Sequence, residues 1–306
     1  ALEADPAVFL LGEGIDDPGG VFGTTLGLKE RFGDRVMDTP IAENGMTGVA
    51  LGAALAGMRP VAIHMRVDFL PMAMDQIVNH AAKWSYMTGG HVRAPLTIRA
   101  IVGRGWGSAA QHSQSLQALF AHVPGLRVLL PASPRDAKGM LLESIFGEQP
   151  TIFLEHRWLY DHRQAVPEER YEVPAGQAAV LRQGGDVTLV ASSQMVLEAL
   201  EAADTLGAEG ISAEVLDLRS VRPLDRDAVL ASVRRTGRLV VADNGWGPCG
   251  VAAEVAAIAA EGAFEALRAP VRRVTLPDVP TPASAPLEKA YYPGAAEIAA
   301  AARGIL

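Results

Sequence analysis

Two residues stand where an α/β protein is expected to carry its chemistry. His112 lies in Ser108-Ala-Ala-Gln-His-Ser-Gln-Ser115, after a glycine-rich stretch and directly ahead of an apolar segment. Open α/β sheets place reactive groups in the loops beyond the carboxyl ends of their strands, and an imidazole titrates near neutral pH. The same histidine can equally serve as a brace hydrogen-bonded within its own loop. Glu43 lies in Thr39-Pro-Ile-Ala-Glu-Asn-Gly-Met-Thr-Gly48, just ahead of a helix of small residues expected over Gly45–Gly57. A carboxylate there is favoured by the helix dipole alone. If it were partly buried, it would instead be suited to meet a basic ring nitrogen. Spacing by itself does not bring Glu43 and His112 together.

Other chemistries find less support. Gly12-Glu-Gly14 and Gly103-Arg-Gly105-Trp-Gly107 each follow an expected strand, but neither has the third glycine or alanine of a dinucleotide fingerprint, and no phosphate loop of the G-x-x-x-x-G-K-[ST] kind occurs. These glycines read as tight turns at strand ends. His156 and His162 lack partner cysteines and no H-E-x-x-H is present, so no metal site is assigned. No G-x-S-x-G elbow appears. Cys249, in Gly247-Pro-Cys-Gly250, is the single cysteine; it excludes an internal disulfide and reads as a buried or cap-adjacent thiol.

These residues must be held by a regular scaffold. Short apolar runs alternate with helical segments, which predicts mainly parallel sheets covered on both faces. Strands are expected near Val8–Leu11, Arg59–His64, Leu96–Ile101, Arg127–Leu130 and Thr151–Leu154, with helices over Val21–Phe32, Gly45–Gly57, Met72–Met87 and Pro134–Phe146. A second series has strands near Val187–Ala191, Ser212–Asp217, Arg238–Asp243 and Arg272–Leu276, and helices over Met195–Leu206, Asp225–Arg235 and Gly250–Glu261. Between the series, Glu155–Gly185 is charged and contains Pro167, Pro174 and Gly184–Gly185, as expected of a crossover between domains. The division expected is 1–170, a linker over 171–185, and 186–306. Prolines 277, 280, 282, 286 and 293 limit regular structure before a last short helix.

The 306 residues suffice for two domains, and a formal net charge of -8 without a basic stripe argues against a nucleic-acid surface. Apolar stretches are interrupted before the roughly 20 residues a membrane helix needs, and no leader pattern opens the chain. The expected location is the cytoplasm, or an organelle matrix if a targeting segment has been removed.

Several motifs recur in order along nearly the whole chain: Gly12-Glu-Gly14, Asp38-Thr-Pro-Ile-Ala-Glu43, Ala56-Gly-Met-Arg-Pro60, Asp75-Gln-Ile-Val-Asn79, Ala81-Ala-Lys83, Tyr86-Met-Thr-Gly-Gly90, Ala110-Gln-His-Ser-Gln-Ser115, Ala121-His-Val-Pro-Gly-Leu126, Ser133-Pro-Arg-Asp-Ala-Lys138, Phe153-Leu-Glu155 and Pro277-Asp-Val-Pro280. With them the sequence resembles the beta subunits of thiamine-diphosphate-dependent 2-oxo acid dehydrogenases, of the pyruvate, branched-chain 2-oxo acid and acetoin dehydrogenase type. The resemblance implies two three-layer α/β domains, a transketolase-like pyrimidine-binding domain followed by a transketolase C-terminal-like domain. It implies an alpha-type partner that carries the diphosphate-binding G-D-G…N pattern absent here, an alpha2beta2 assembly, and docking to a lipoyl acyltransferase core. Magnesium is then expected mainly on the partner, with a structural monovalent cation as a further candidate.

By the same resemblance, Glu43 contacts N1′ of the cofactor's aminopyrimidine and His112 lies near its reactive end. Phe69 packs beside the pyrimidine ring, or else belongs to the core at the sheet edge. Gln111 and Ser113 are supporting positions. The sequence departs from the family's pattern at His64, where many relatives have a glutamate, and at Asn44; Arg66, Arg104 and Trp106 stand where they would reshape the active-site entrance. These departures keep in view a split transketolase-type transferase acting on a sugar or small aldehyde; a non-catalytic interaction subunit is the other alternative, and the joint presence of Glu43 and His112 argues against it.

Overall fold

The computed structural model describes every residue except 18 and 104–106, so Arg104 and Trp106 lie outside the described residues. Six strands open the chain: β1 (Val8–Gly12), β2 (Val36–Asp38), β3 (Arg59–His64), β4 (Thr97–Val102), β5 (Arg127–Leu129) and β6 (Thr151–His156). Six more follow: β7 (Ala179–Arg182), β8 (Val187–Ala191), β9 (Ala213–Asp217), β10 (Ser220–Arg222), β11 (Leu239–Trp246) and β12 (Arg272–Leu276). They form a seven-stranded sheet of order β10-β5-β6-β4-β3-β1-β2 and a five-stranded sheet of order β12-β11-β8-β9-β7. Apart from the antiparallel pairs β10–β5 and β7–β9, every pairing is parallel.

Alternation along the strands explains why both faces are covered. In β1, Phe9 and Leu11 enter one apolar cluster with Ala62, Ile98 and Ala100, whereas Val8 and Leu10 enter another with Val61, Ile63 and Ile101. Side chains two apart share a face, so continuous apolar strands demand a layer on each side. The element that positions the site is α2 (Glu43–Leu55), the second helix after the short α1 (Leu28–Phe32). Its buried positions are Glu43, Met46, Thr47, Ala50, Leu51 and Ala54. That is the spacing of one helical face.

Several boundaries differ from the sequence expectation. The helix expected over Val21–Phe32 is a 3-10 turn at Gly20–Gly23 followed by α1 alone. Gly23 and Gly27, with φ of 79° and 76°, break it by adopting left-handed backbone. Glu43 is the first residue of α2 rather than ahead of it. The helix expected over Met72–Met87 is a 3-10 segment Val67–Ala73 that accommodates Pro71, a π-helical turn Asp75–Ala81, and α3 (Ala82–Met87). The tail holds two helices, Ala285–Tyr291 and Ala295–Arg303, where one was expected. Among the described residues no helix is long and apolar enough to cross a membrane.

The edge strand β10 comes from the second half of the chain and pairs with β5 in the first sheet. The seam beside it is polar: Arg219 donates from Nε and Nη2 to Asp136 at 3.1 and 2.9 Å, and Gln117 donates to Asp243 at 2.8 Å. Asp217, fully buried at the end of β9, accepts from the Arg219 backbone N–H at 2.8 Å. Its Oδ2 has no partner among the described residues. Burial pushes this carboxyl from 3.8 to about 7, with a further push from Asp136 and opposing pulls from the Arg219 backbone and side chain. Between those values the folded chain binds more protons than the unfolded one, so its stability falls as pH rises. Asp217 is expected to account for at most roughly 4 kcal/mol of that fall. Urea unfolding of the Asp217→Asn chain on either side of the interval should therefore show a flatter pH dependence; an unchanged slope would assign the effect elsewhere.

Candidate active site

Strand β1 is flanked by β2 on one side and β3 on the other. Such a reversal opens a crevice beyond the carboxyl ends of the strands, where open α/β sheets bind ligands. The loops around it are tied together: Thr39 N–H donates to Gly12 O at 3.0 Å and Gly14 N–H to Asp38 Oδ1 at 2.5 Å. Here α2 begins, with Glu43 at the head of its buried stripe and 4% exposed. Its carboxylate has no hydrogen-bonding partner among the described residues. One turn on, Thr47 Oγ1 lies 3.2 Å from His64 Nε2 at the end of β3. Burial lowers the His64 pKa to about 4. The imidazole is thus neutral at physiological pH, and its Nδ1 has no partner among the described residues.

The chain leaving β3 forms the next wall. Asp68 Oδ1 accepts from the Gln114 backbone N–H at 3.1 Å and from Gln114 Nε2 at 2.9 Å. Phe69 meets the His112 ring edge to face, with centroids 5.3 Å apart at 82°. Arg66 donates from Nη1 to Gly103 O at 2.9 Å, and Gly103 N–H donates to Gln114 O at 3.2 Å. The loop bearing His112 is therefore fastened at its base. Gly103 has φ of 81°, and a Cβ there would come within 2.2 Å of His156 Nε2, so this close approach requires glycine. From the far end of the chain, Tyr292 OH donates to Ser113 O at 3.4 Å.

Of the residues singled out from sequence, Phe69, His112 and Arg66 thus fall along one connected wall, with Ser113 buried behind it. Glu43 and His64 belong to the adjoining α2–β3 corner. Gln111 and His112 are exposed on this chain. Sequence reasoning missed Glu13 as a site residue. It is 8% exposed, accepts from the Ala42 backbone N–H, and has an unpartnered Oε1 among the described residues. Desolvation raises its pKa most; the Glu43 charge adds to this and Asp38 contributes less. The signal available was an acid at the carboxyl end of the first strand, within a quoted motif.

The corner fits an aminopyrimidine. Buried carboxylates with unused accepting capacity suit a basic ring nitrogen and an exocyclic amine, and the half-buried Phe69 ring offers an aromatic face. Large apolar side chains are exposed on the segments that form it: Ile41, Val49 and Met72 are 83%, 62% and 62% exposed, beside the exposed Asp38 and Asn44. A patch of large apolar residues marks an interaction surface. Among the described residues no group of three or more His, Cys, Asp or Glu is placed to hold a metal.

Comparison with known proteins places these features in context. Residues 1–162 match the family model described as "Transketolase, pyrimidine binding domain", and residues 176–298 match "Transketolase, C-terminal domain". The chain is 49% identical to the acetoin:2,6-dichlorophenolindophenol oxidoreductase subunit beta of Cupriavidus necator, over 99% of this chain and 92% of that one. It is 45% identical to the mitochondrial pyruvate dehydrogenase E1 component subunit beta-2 of Oryza sativa subsp. japonica, over 99% of this chain and 82% of that one. A solved chain titled "Split gene transketolase, inactive beta4 tetramer" superposes with a TM-score of 0.80 at 28% identity, covering 99% of this chain and 93% of that one.

Proposed function

The chain belongs to the family of beta subunits of thiamine-diphosphate-dependent 2-oxo acid dehydrogenases, and on that premise we propose that its β1–β3 crevice is the pyrimidine half of a cofactor site completed by an alpha-type chain. As such a subunit it is part of a thiamine-diphosphate enzyme and works in a hetero-oligomer. When bound, thiamine diphosphate supplies the electron sink that lets a 2-oxo acid lose carbon dioxide. Glu43 holds a proton against the ring nitrogen N1′. Phe69 seats the pyrimidine, and the exposed His112 beside it moves a proton or stabilises charge as the acyl group passes to a lipoyl acceptor.

The observation that carries this reading is Glu43, a carboxylate at the head of a buried helical stripe whose other members are uncharged, with no hydrogen bond of its own among the described residues. The apolar surface at Ile41, Val49 and Met72 supports a partner seated over the crevice. An alpha2beta2 arrangement, magnesium on the partner and docking to a lipoyl acyltransferase core complete the proposal. The transferase alternative is favoured by a structural likeness at 28% identity, against 42–49% for the dehydrogenase subunits. Release of carbon dioxide by the copurified two-chain enzyme tests the reading. It is expected with 2-oxo acids and a lipoyl or dye acceptor, and to require both chains and the cofactor; turnover confined to sugar or aldehyde acceptors would favour the transferase.

A further inference from the structure

Among the described residues, Arg66 is a buried cation short of partners. It is 5% exposed, at the point where β3 gives way to the segment carrying Phe69. A guanidinium has five N–H donors. Here the hydrogen bond to Gly103 O is the one it makes among the described residues, and no carboxylate lies within 4.0 Å of it. Burial is the largest influence lowering its pKa, and the Arg157 charge adds to that. Both guanidiniums face the Phe22 ring, at 5.8 and 4.8 Å from its centroid. The acid that offsets Arg66, Asp68, has its Oδ1 engaged by Gln114 and its own pKa raised by burial.

A buried guanidinium is costly unless an anion meets it, and a planar oxyanion matches its fork. Arg66 stands three residues before Phe69, whose ring touches His112, and its hydrogen bond ends on the base of the His112 loop. Resting on the functional reading above, we infer that Arg66 forms an anion subsite for the donor, selecting 2-oxo acids that carry a second oxyanion at their far end. The 2-oxo acid's own carboxylate is a poor occupant. It gives up its charge as carbon dioxide leaves, so a cation fixed on it would stabilise the ground state more than the transition state. A distal carboxylate, sulfonate or phosphate keeps its charge throughout.

The test uses the two-chain holoenzyme and the Arg66→Gln variant, in which an amide can still donate to Gly103 O while the charge is gone. Measured as kcat/KM, the preference for 2-oxoglutarate and 2-oxoadipate over pyruvate and 2-oxobutanoate should fall about 10- to 100-fold in the variant, the worth of a charged hydrogen bond. A 2-oxo acid with a distal sulfonate or phosphate distinguishes which oxyanion fits. Calorimetric binding of glutarate, which cannot react, should weaken by a similar factor. A loss shared equally by both donor classes, or glutarate binding unchanged by the substitution, would make Arg66 a brace for the loop and overturn the subsite. If the holoenzyme releases carbon dioxide from no 2-oxo acid, the functional reading fails, while glutarate binding still decides the subsite.

Discussion

Replacing Glu43 by Gln in the assembled enzyme is expected to lower kcat by about 10²- to 10⁴-fold, the usual worth of a positioned proton-transfer group, without lowering the unfolding midpoint. The side chain keeps its shape, so the stripe of Met46, Thr47, Ala50, Leu51 and Ala54 stays packed. The substitution also removes a charge that opposes ionisation of Glu13. Folding should thus be unchanged or slightly favoured while catalysis collapses. Steady-state turnover and thermal unfolding of the same preparation check this. Near-normal turnover in a folded Glu43→Gln enzyme would remove the carboxylate from the reaction.

His112→Ala carries the second large effect. The ring is exposed and its ring contact is the edge-to-face meeting with Phe69, while the loop is held by Arg66 and Asp68 independently of the imidazole. Truncation therefore leaves the loop fastened and removes a group able to shuttle a proton or stabilise charge. A loss of about 10²-fold or more is expected, greater for acyl transfer to a lipoyl group than for decarboxylation. Assaying the two half-reactions separately reads the difference. Equal, unimpaired rates in both would return His112 to the role of a loop brace.

What the sequence made legible was the alternation of short apolar runs with helical segments. Those runs located most strands of both sheets, the small-residue segment located α2, and the acid within Thr39–Gly48 marked Glu43. The burial of Glu43 follows from its falling in register with that stripe, a consequence visible once the helix starts two residues earlier than expected. Other features depend on contacts remote in sequence. Three residues of β10 carry no periodic signal, and they form a strand because β5 has an open edge beside them. Glu13 becomes notable through the Ala42 backbone and the Glu43 charge, some thirty residues away. The breaks at Gly23 and Gly27 reflect left-handed backbone that composition hints at but does not require. Arg66 was singled out at the entrance; that no carboxylate forms a close ion pair with it among the described residues is a property of packing alone.

The most direct test of a shared cofactor site is native mass spectrometry of the untagged protein captured from its own cell extract. The account predicts this chain bound stoichiometrically to a larger subunit with thiamine diphosphate retained in the assembly; a cofactor-free assembly of this chain alone, under conditions that preserve complexes, would contradict it.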